Sequence, residues 1–246
     1  MRLDVAFLPR DLTTPETSVC IVIDALRASS TIATVFGCGV ETVAVAGTIE
    51  DARLLHRDMP GSLLCGEAGG LPPEGFDHGN SPVEFEGLDL DGRALVLATS
   101  NGTRALAALD TAPAVYVGSL LNRTACVEAA RALMPGVETL TVVCAGNERG
   151  TIFSLEDTVI AGAFVATIQD QATGPVLQFT DRATAALHLW QAYQHDPTRA
   201  FLDSTHGRYL VEIGMAADLD ACARIDRYPV APRLRVTVDG RLLLRV

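Results

Sequence analysis

Four stretches of this chain end an apolar run and then set carboxylates, hydroxyls, amides and an arginine side by side. They are "IDALRASST" from Ile23, "ATSNGT" from Ala98, "VGSLLN" from Val117 and "CAGNERGTIFSLED" from Cys144. Gly, Ser, Thr and Asn at helix starts expose backbone N–H groups and hydroxyls at the positive end of the helix dipole, where an anion can be held. Arg27 adds a guanidinium able to grip phosphate or sulfonate oxygens at two points. The acids Asp24, Glu67, Glu156 and Asp157 would repel a bare dianion, but they suit a hard divalent cation shared with it. Magnesium takes oxygen ligands, typically one or two carboxylates together with a substrate phosphate. His78 in "GFDHGNSP" and His206 in "STHGRYL" lie in polar loops beside glycine and are candidates for general acid or base work. Taken singly, each strand end also reads as an ordinary N-cap. Together, with a Gly/Pro-rich loop between the first two, they point to one site.

Several familiar phosphate chemistries are excluded. The chain has no G-x-x-x-x-G-K-[ST] loop, no G-x-G-x-x-G after a strand and no G-x-S-x-G elbow. Leu26 stands where a haloacid-type phosphatase would need a second aspartate. Gly150 stands where a cysteine phosphatase built on Cys144 would need arginine, so Cys144 reads as a buried strand end.

The elements that must position these residues alternate. Short apolar runs predict strands at Leu3–Phe7, Val19–Ile23, Thr42–Val45, Leu63–Cys65, Leu95–Thr99, Ala114–Val117 and Leu140–Cys144. Helical spacing predicts helices at Ser29–Phe36, Ile49–Arg57, Thr103–Ala108, Arg123–Leu133, Glu156–Ile168, Asp181–Gln194 and Tyr209–Ala216. Runs such as "CIVI" and "LTVVCA" are those of strands covered on both faces. The fold expected is α/β, a layered α/β/α arrangement around a largely parallel or mixed central sheet. "LRVTVDGRLLLRV" predicts a C-terminal β-hairpin turning at Asp239-Gly240 through a type I′ turn. The loop Gly66–Gly87 is long enough to be functional, and Phe76 and Phe85 predict that it is ordered. In such sheets ligands bind beyond the carboxyl ends of the strands, so all four polar strand ends are expected to converge. The whole chain, 1–246, is expected to form one domain, with two closely packed subdomains and a boundary near 170–180 as the variant.

Composition bounds the partners. At 48% hydrophobic residues the 246-residue chain can bury a large core, and its net charge of −11 argues against a nucleic-acid surface. An acidic protein can still hold a small anion with local arginines and N–H groups. The sequence shows neither a secretory signal nor a membrane-length apolar run. Six cysteines without a CxxC pair read as reduced thiols of a cytoplasmic protein.

In order, "VIDALRASSTIAT", "GFDHGNSP", "ATSNGTRAL", "VGSLLN", "CAGNERG", "SLEDTVIAG" and "STHGRYL" closely resemble the 2-phosphosulfolactate phosphatases, over about Asp4 to Pro229. The resemblance implies a Mg²⁺-dependent acid phosphatase that releases phosphate from 2-phosphosulfolactate, a step of coenzyme M biosynthesis. It implies Asp24 as leading metal ligand or base, with Glu67, Glu156 and Asp157 as the other carboxylates available to the metal. Arg27, Ser29, Asn101, Gly102 and Thr103 would cradle the phosphate, and Asn80, Ser81, Ser119 and Asn122 would complete the pocket. Arg208, beside His206, would take the substrate's second anionic group. The partner implied is a small phosphorylated organic acid, with no nucleic acid and no membrane, and a homodimer is compatible with this reading. Another small phosphorylated acid or sugar, or a non-catalytic module that binds an anionic metabolite, are the alternatives.

Overall fold

The computed structural model describes residues 2–134, 137–172 and 177–246. The strands are β1 (Arg2–Ala6), β2 (Ser18–Ile23), β3 (Thr42–Ala46), β4 (Leu63–Gly66), β5 (Ala94–Ala98), β6 (Ala114–Gly118), β7 (Thr139–Cys144), β8 (Gln178–Phe179), β9 (Arg233–Val236) and β10 (Leu242–Arg245). The helices are α1 (Ala28–Gly37), α2 (Ile49–Asp58), α3 (Pro82–Phe85), α4 (Ser100–Ala107), α5 (Arg123–Arg131), α6 (Leu155–Asp170), α7 (Asp181–Tyr193), α8 (Pro197–Asp203), α9 (Thr205–Glu212) and α10 (Ala216–Cys222). The seven strands expected in the first two thirds form within a residue or two of their sequence bounds. The expected helix Tyr209–Ala216 is instead the end of α9 and the start of α10, broken at Gly214, whose φ of +86° ends a helical run.

One sheet joins the strands in the order β4-β5-β3-β10-β9-β6-β2-β7-β1-β8. Its two wings are parallel: β4, β5 and β3 in one, β6, β2, β7, β1 and β8 in the other. The C-terminal hairpin is inserted between them and pairs antiparallel with both. Its turn is not type I′. Asp239 keeps a negative φ and only Gly240, at +81°, is left-handed. The Gly240 N–H donates to Thr237 O at 2.9 Å and the Thr237 N–H to Arg241 O at 3.0 Å, a three-residue loop closed by a glycine bulge.

Alternation along the strands builds the layers. Val19, Ile21 and Ile23 of β2 face a core shared with α5, α6 and α7, while Cys20 and Val22 face the opposite core. That second core also takes Val43 and Val45 of β3 and Leu95 and Leu97 of β5, together with α1 and α4. The two wings therefore enclose a common interior, and α1 within it is buried at every position from Ala28 to Phe36. α2 covers the outer face of the smaller wing, over Ala44, Ala46, Val96 and Ala98. α6 and α7 approach so closely that a Cβ on Gly162 would fall 1.9 Å from the Ala186 carbonyl oxygen; only glycine fits. The variant subdomain boundary near 170–180 falls partly on 173–176, outside the described residues. The Gly66–Gly87 loop is ordered, as its aromatics predict: Phe85 is fully buried in the α1 core and Phe76 packs beside α2. All six cysteines are free thiols.

Candidate active site

Three of the four polar strand ends meet. β2 leads into Asp24 and β5 into Thr99, which line one chamber of about 40 Å³, and β7 leads into the segment from Asn147 to Glu156 that lines the cleft beside it. Asp24, Arg27, Glu67, Asn80, Asn101 and His206 line it. A larger cleft of about 690 Å³ adjoins it; Asn101 and His206 belong to both.

Asp24 is the hub. The N–H groups of Ala28 and Gly102, at the starts of α1 and α4, face its carboxylate and favour its charged form. Two helix N-termini thus point at one acid, a favourable arrangement for negative charge. Burial nevertheless pushes its pKa up to about 7, and the neighbouring Glu67 and Glu156 charges push the same way. The hydroxyls that follow lace the strand-to-helix turn: Ser29 Oγ donates to Asp24 O at 2.8 Å, Ser30 Oγ to Ala25 O at 2.9 Å, and Thr31 Oγ1 to Asn80 O at 3.1 Å.

Arg27 is buried and rigidly held. Its Nη1 donates to Asp218 Oδ2 at 2.6 Å and its Nη2 to Gly70 O at 2.6 Å. Asp218, from α10, also accepts from Ser81 Oγ, so Ser81 supports the arginine from behind. Glu67 Oε2 accepts from the Gly70 N–H at 2.9 Å, and Tyr209 Oη donates to Gly69 O at 2.9 Å. The Gly69-Gly70 turn, both residues left-handed, is thereby fastened over the chamber.

Glu156 and Asp157 open α6, yet they do different things. Asp157 accepts from the Ala25 N–H at 2.8 Å with one oxygen and from the Gly146 N–H at 3.0 Å with the other, tying the end of β2 to the end of β7. Burial, then the Glu156 and Asp24 charges, hold its pKa well above the ordinary carboxylate range. Glu156 Oε2 is buried without a hydrogen-bond partner, as is Asn80 Oδ1 on the chamber wall. An orphaned carboxylate oxygen is costly unless something positive meets it. His206 is kept from protonating by burial; Glu156 and Glu67 oppose that effect, while the Arg27 charge adds to it.

The other expected site residues stand apart from the chamber lining. Thr103 Oγ1 donates to Ala46 O at 3.1 Å. Ser119 and Asn122, at the end of β6, are fully buried. Asn122 Oδ1 accepts from the Ser119 N–H at 2.8 Å and its amide donates to Val117 O and Val230 O, binding the strand end under the C-terminal segment. Arg208 is exposed and donates to Asp203 O at 2.7 Å. His78 lies 3.6 Å from Glu84 and tilts on Phe85. Sequence reasoning missed Asp218, because "AADLDAC" looks like an ordinary solvated helix, and it passed over Arg149, which stands one residue before the Gly150 position where a cysteine phosphatase would need arginine.

The carboxylate donors are of the chemistry that a hard divalent cation takes. Among the described residues no three His, Cys, Asp or Glu side chains stand as a ready metal cluster. The orphaned Glu156 oxygen and the mutually repelling Asp24, Glu67 and Glu156 still form a place that a divalent cation would neutralise.

Known proteins with this pattern share a description. The family model for 2-phosphosulpholactate phosphatase matches residues 6–237. A probable 2-phosphosulfolactate phosphatase of Carboxydothermus hydrogenoformans is 33% identical over 99% of this chain and 97% of its own length. One from Parasynechococcus marenigrum is 39% identical over 86% and 87%, and one from Pseudothermotoga lettingae 34% identical over 98% of each. With three of its four polar strand ends gathered around one chamber and cleft and nearly its whole length matched, this chain belongs to the 2-phosphosulfolactate phosphatase family.

Proposed function

We propose that this protein is a Mg²⁺-dependent phosphatase that hydrolyses 2-phosphosulfolactate to sulfolactate and inorganic phosphate, a step of the coenzyme M biosynthesis type. The observation that carries the reading is the chamber itself: a buried arginine and two amide side chains share a space of about 40 Å³ with the carboxylates of Asp24 and Glu67, and Glu156 lines the cleft that adjoins it. Asp24, Glu67 and Glu156 are the residues to hold the cation. When bound, the ion supplies charge neutralisation at the phosphoryl oxygens and makes water more acidic. Arg27 binds phosphoryl oxygens with the N–H groups not spent on Asp218 and Gly70, and it does so without reorganising, because those two bonds already fix its plane. Asn80 and Asn101 orient the same group from the wall. His206, kept from protonating by burial, lines the chamber. A ring nitrogen of His206 is the proton acceptor for the attacking water. Water adds to phosphorus as its proton passes to His206, the ester P–O bond breaks, and the alcohol of sulfolactate leaves with the proton that His206 returns.

Six free thiols and the absence, among the described residues, of a helix long and apolar enough to cross a membrane support a reducing, cytoplasmic setting. The test is phosphate release from 2-phosphosulfolactate after chelation, with and without added Mg²⁺, beside a panel of small phosphorylated acids and sugars. Fast, metal-dependent release that prefers 2-phosphosulfolactate supports the proposal. Preference for another compound replaces the substrate, and metal-independent release overturns the cofactor.

A further inference from the structure

The cleft beside the chamber contains one arginine, Arg149, and the way it is held is unusual. Glu148 and Arg149 are consecutive non-glycine residues in the left-handed region, at φ +45° and +60°. Side chains rarely adopt that conformation, and it persists only where surrounding contacts enforce it. The enforcing contacts are visible. Asn101 Oδ1 accepts from the Arg149 N–H at 2.7 Å, Thr151 Oγ1 donates to Glu148 O at 2.8 Å, and Asn147 pairs with Ile152 across the base of the loop. Glycine would satisfy this backbone at less cost, so an arginine at this position points to a use for its side chain. Among the described residues the Arg149 guanidinium makes no ion pair and no hydrogen bond.

Asn101 connects this loop to the phosphate end. It lines both the chamber and the cleft, and its oxygen is committed to the Arg149 backbone. Its amide N–H groups are therefore the part left for the chamber. One side chain thus sets the register between the phosphoryl pocket and the arginine.

We infer that Arg149 is the specificity-determining residue that binds the substrate's second oxyanion, a carboxylate or a sulfonate, across the cleft from the phosphoryl end. This rests on the phosphatase reading and names the group that gives it specificity. A guanidinium matches either oxyanion in a two-point grip, and the acidic Glu148, Glu156 and Asp203 around the cleft leave Arg149 to offset their charge.

The experiment compares wild type with Arg149→Gly and Arg149→Lys. Arg149→Gly suits the left-handed backbone and is expected to fold at least as well as wild type, which thermal melting checks. Its preference for 2-phosphosulfolactate over glycerol 2-phosphate, as a ratio of kcat/KM, should fall roughly 10- to 100-fold, mostly through KM. Arg149→Lys should recover part of the loss. A penalty that persists on 2-phospholactate identifies the carboxylate as the bound group; one that disappears identifies the sulfonate. An unchanged ratio in a folded Arg149→Gly protein overturns the inference. Calorimetric titration with sulfolactate separates this result from failure of the phosphatase reading. Binding by wild type that Arg149→Gly loses supports the anion site even if no ester is hydrolysed, whereas equal binding, or no binding by wild type, overturns it.

Discussion

Gly102 stands directly against Asp24. Its N–H faces the Asp24 carboxylate, and a Cβ added to it would lie 3.1 Å from Asp24 Oδ2. The two residues follow strands β5 and β2, which are five places apart in the sheet; laid flat, those strands would be roughly 24 Å apart. The contact exists because the wings fold toward each other around α1 and α4, and the chamber exists because of the contact.

Gly102→Ala should therefore separate stability from activity. Alanine favours the helix by up to about 1 kcal/mol over glycine, which offsets part of the crowding. The melting temperature should change by only a few degrees, while displacement of the Asp24 carboxylate lowers kcat about 10-fold or more. Loss of fold together with activity would contradict this.

Glu156→Gln removes the charge from the buried oxygen that has no partner. Stability should hold or rise by about 1 kcal/mol, and phosphate release should drop at least about 100-fold and cease to respond to added Mg²⁺. Urea unfolding and a metal titration of the rate measure the two effects. Full metal-dependent activity in the variant would remove Glu156 from the proposed metal site.

Asp218 acts on substrate only through Arg27. Asp218→Ala leaves that guanidinium buried without its counter-charge, a change that costs about 3–5 kcal/mol. Asp218→Asn retains an acceptor and should fall between the alanine variant and wild type. Because Arg27 then loses its fixed plane, kcat/KM should fall even in molecules that remain folded, which single-turnover assays below the melting temperature report.

Acid stability should depend on Asp4. Burial raises its pKa, but hydrogen bonds from Arg182 and Thr180, the Arg182 charge and the Val5 N–H outweigh burial and lower it. A carboxylate depressed in the folded state contributes stability that is complete above its unfolded pKa of about 4 and is lost as pH falls through the lower folded value. Melting temperatures from pH 5 to pH 2 should decline less steeply for Asp4→Asn than for wild type, from a lower starting point. Parallel curves would exclude Asp4 as a contributor.

Periodicity alone located β1 to β7 and most of the longer helices, because a strand buried on both faces needs an unbroken apolar run and a helix needs its stripe, and both are local. Asp24, Arg27, Glu67, Asn101, Glu156 and His206 were legible for the same reason: an acid, an amide or a histidine beside glycine at the end of an apolar run is a local anomaly. Strand order was not local. The hairpin at 233–245 enters between β3 and β6, 187 and 115 residues after those strands end, and no pattern near it says so. That insertion joins the wings, bends the sheet and brings Gly102 to Asp24. It also buries the end of β6, which is why Ser119 and Asn122, identical in type to site residues, bond to each other and to the C-terminal segment. Residue types and their spacing determined which groups this protein can use. Which of them share a chamber, and that Asp218 and Arg149 stand behind and beside it, was decided by tertiary packing, because the direction of a polar side chain depends on contacts made by segments far away along the chain.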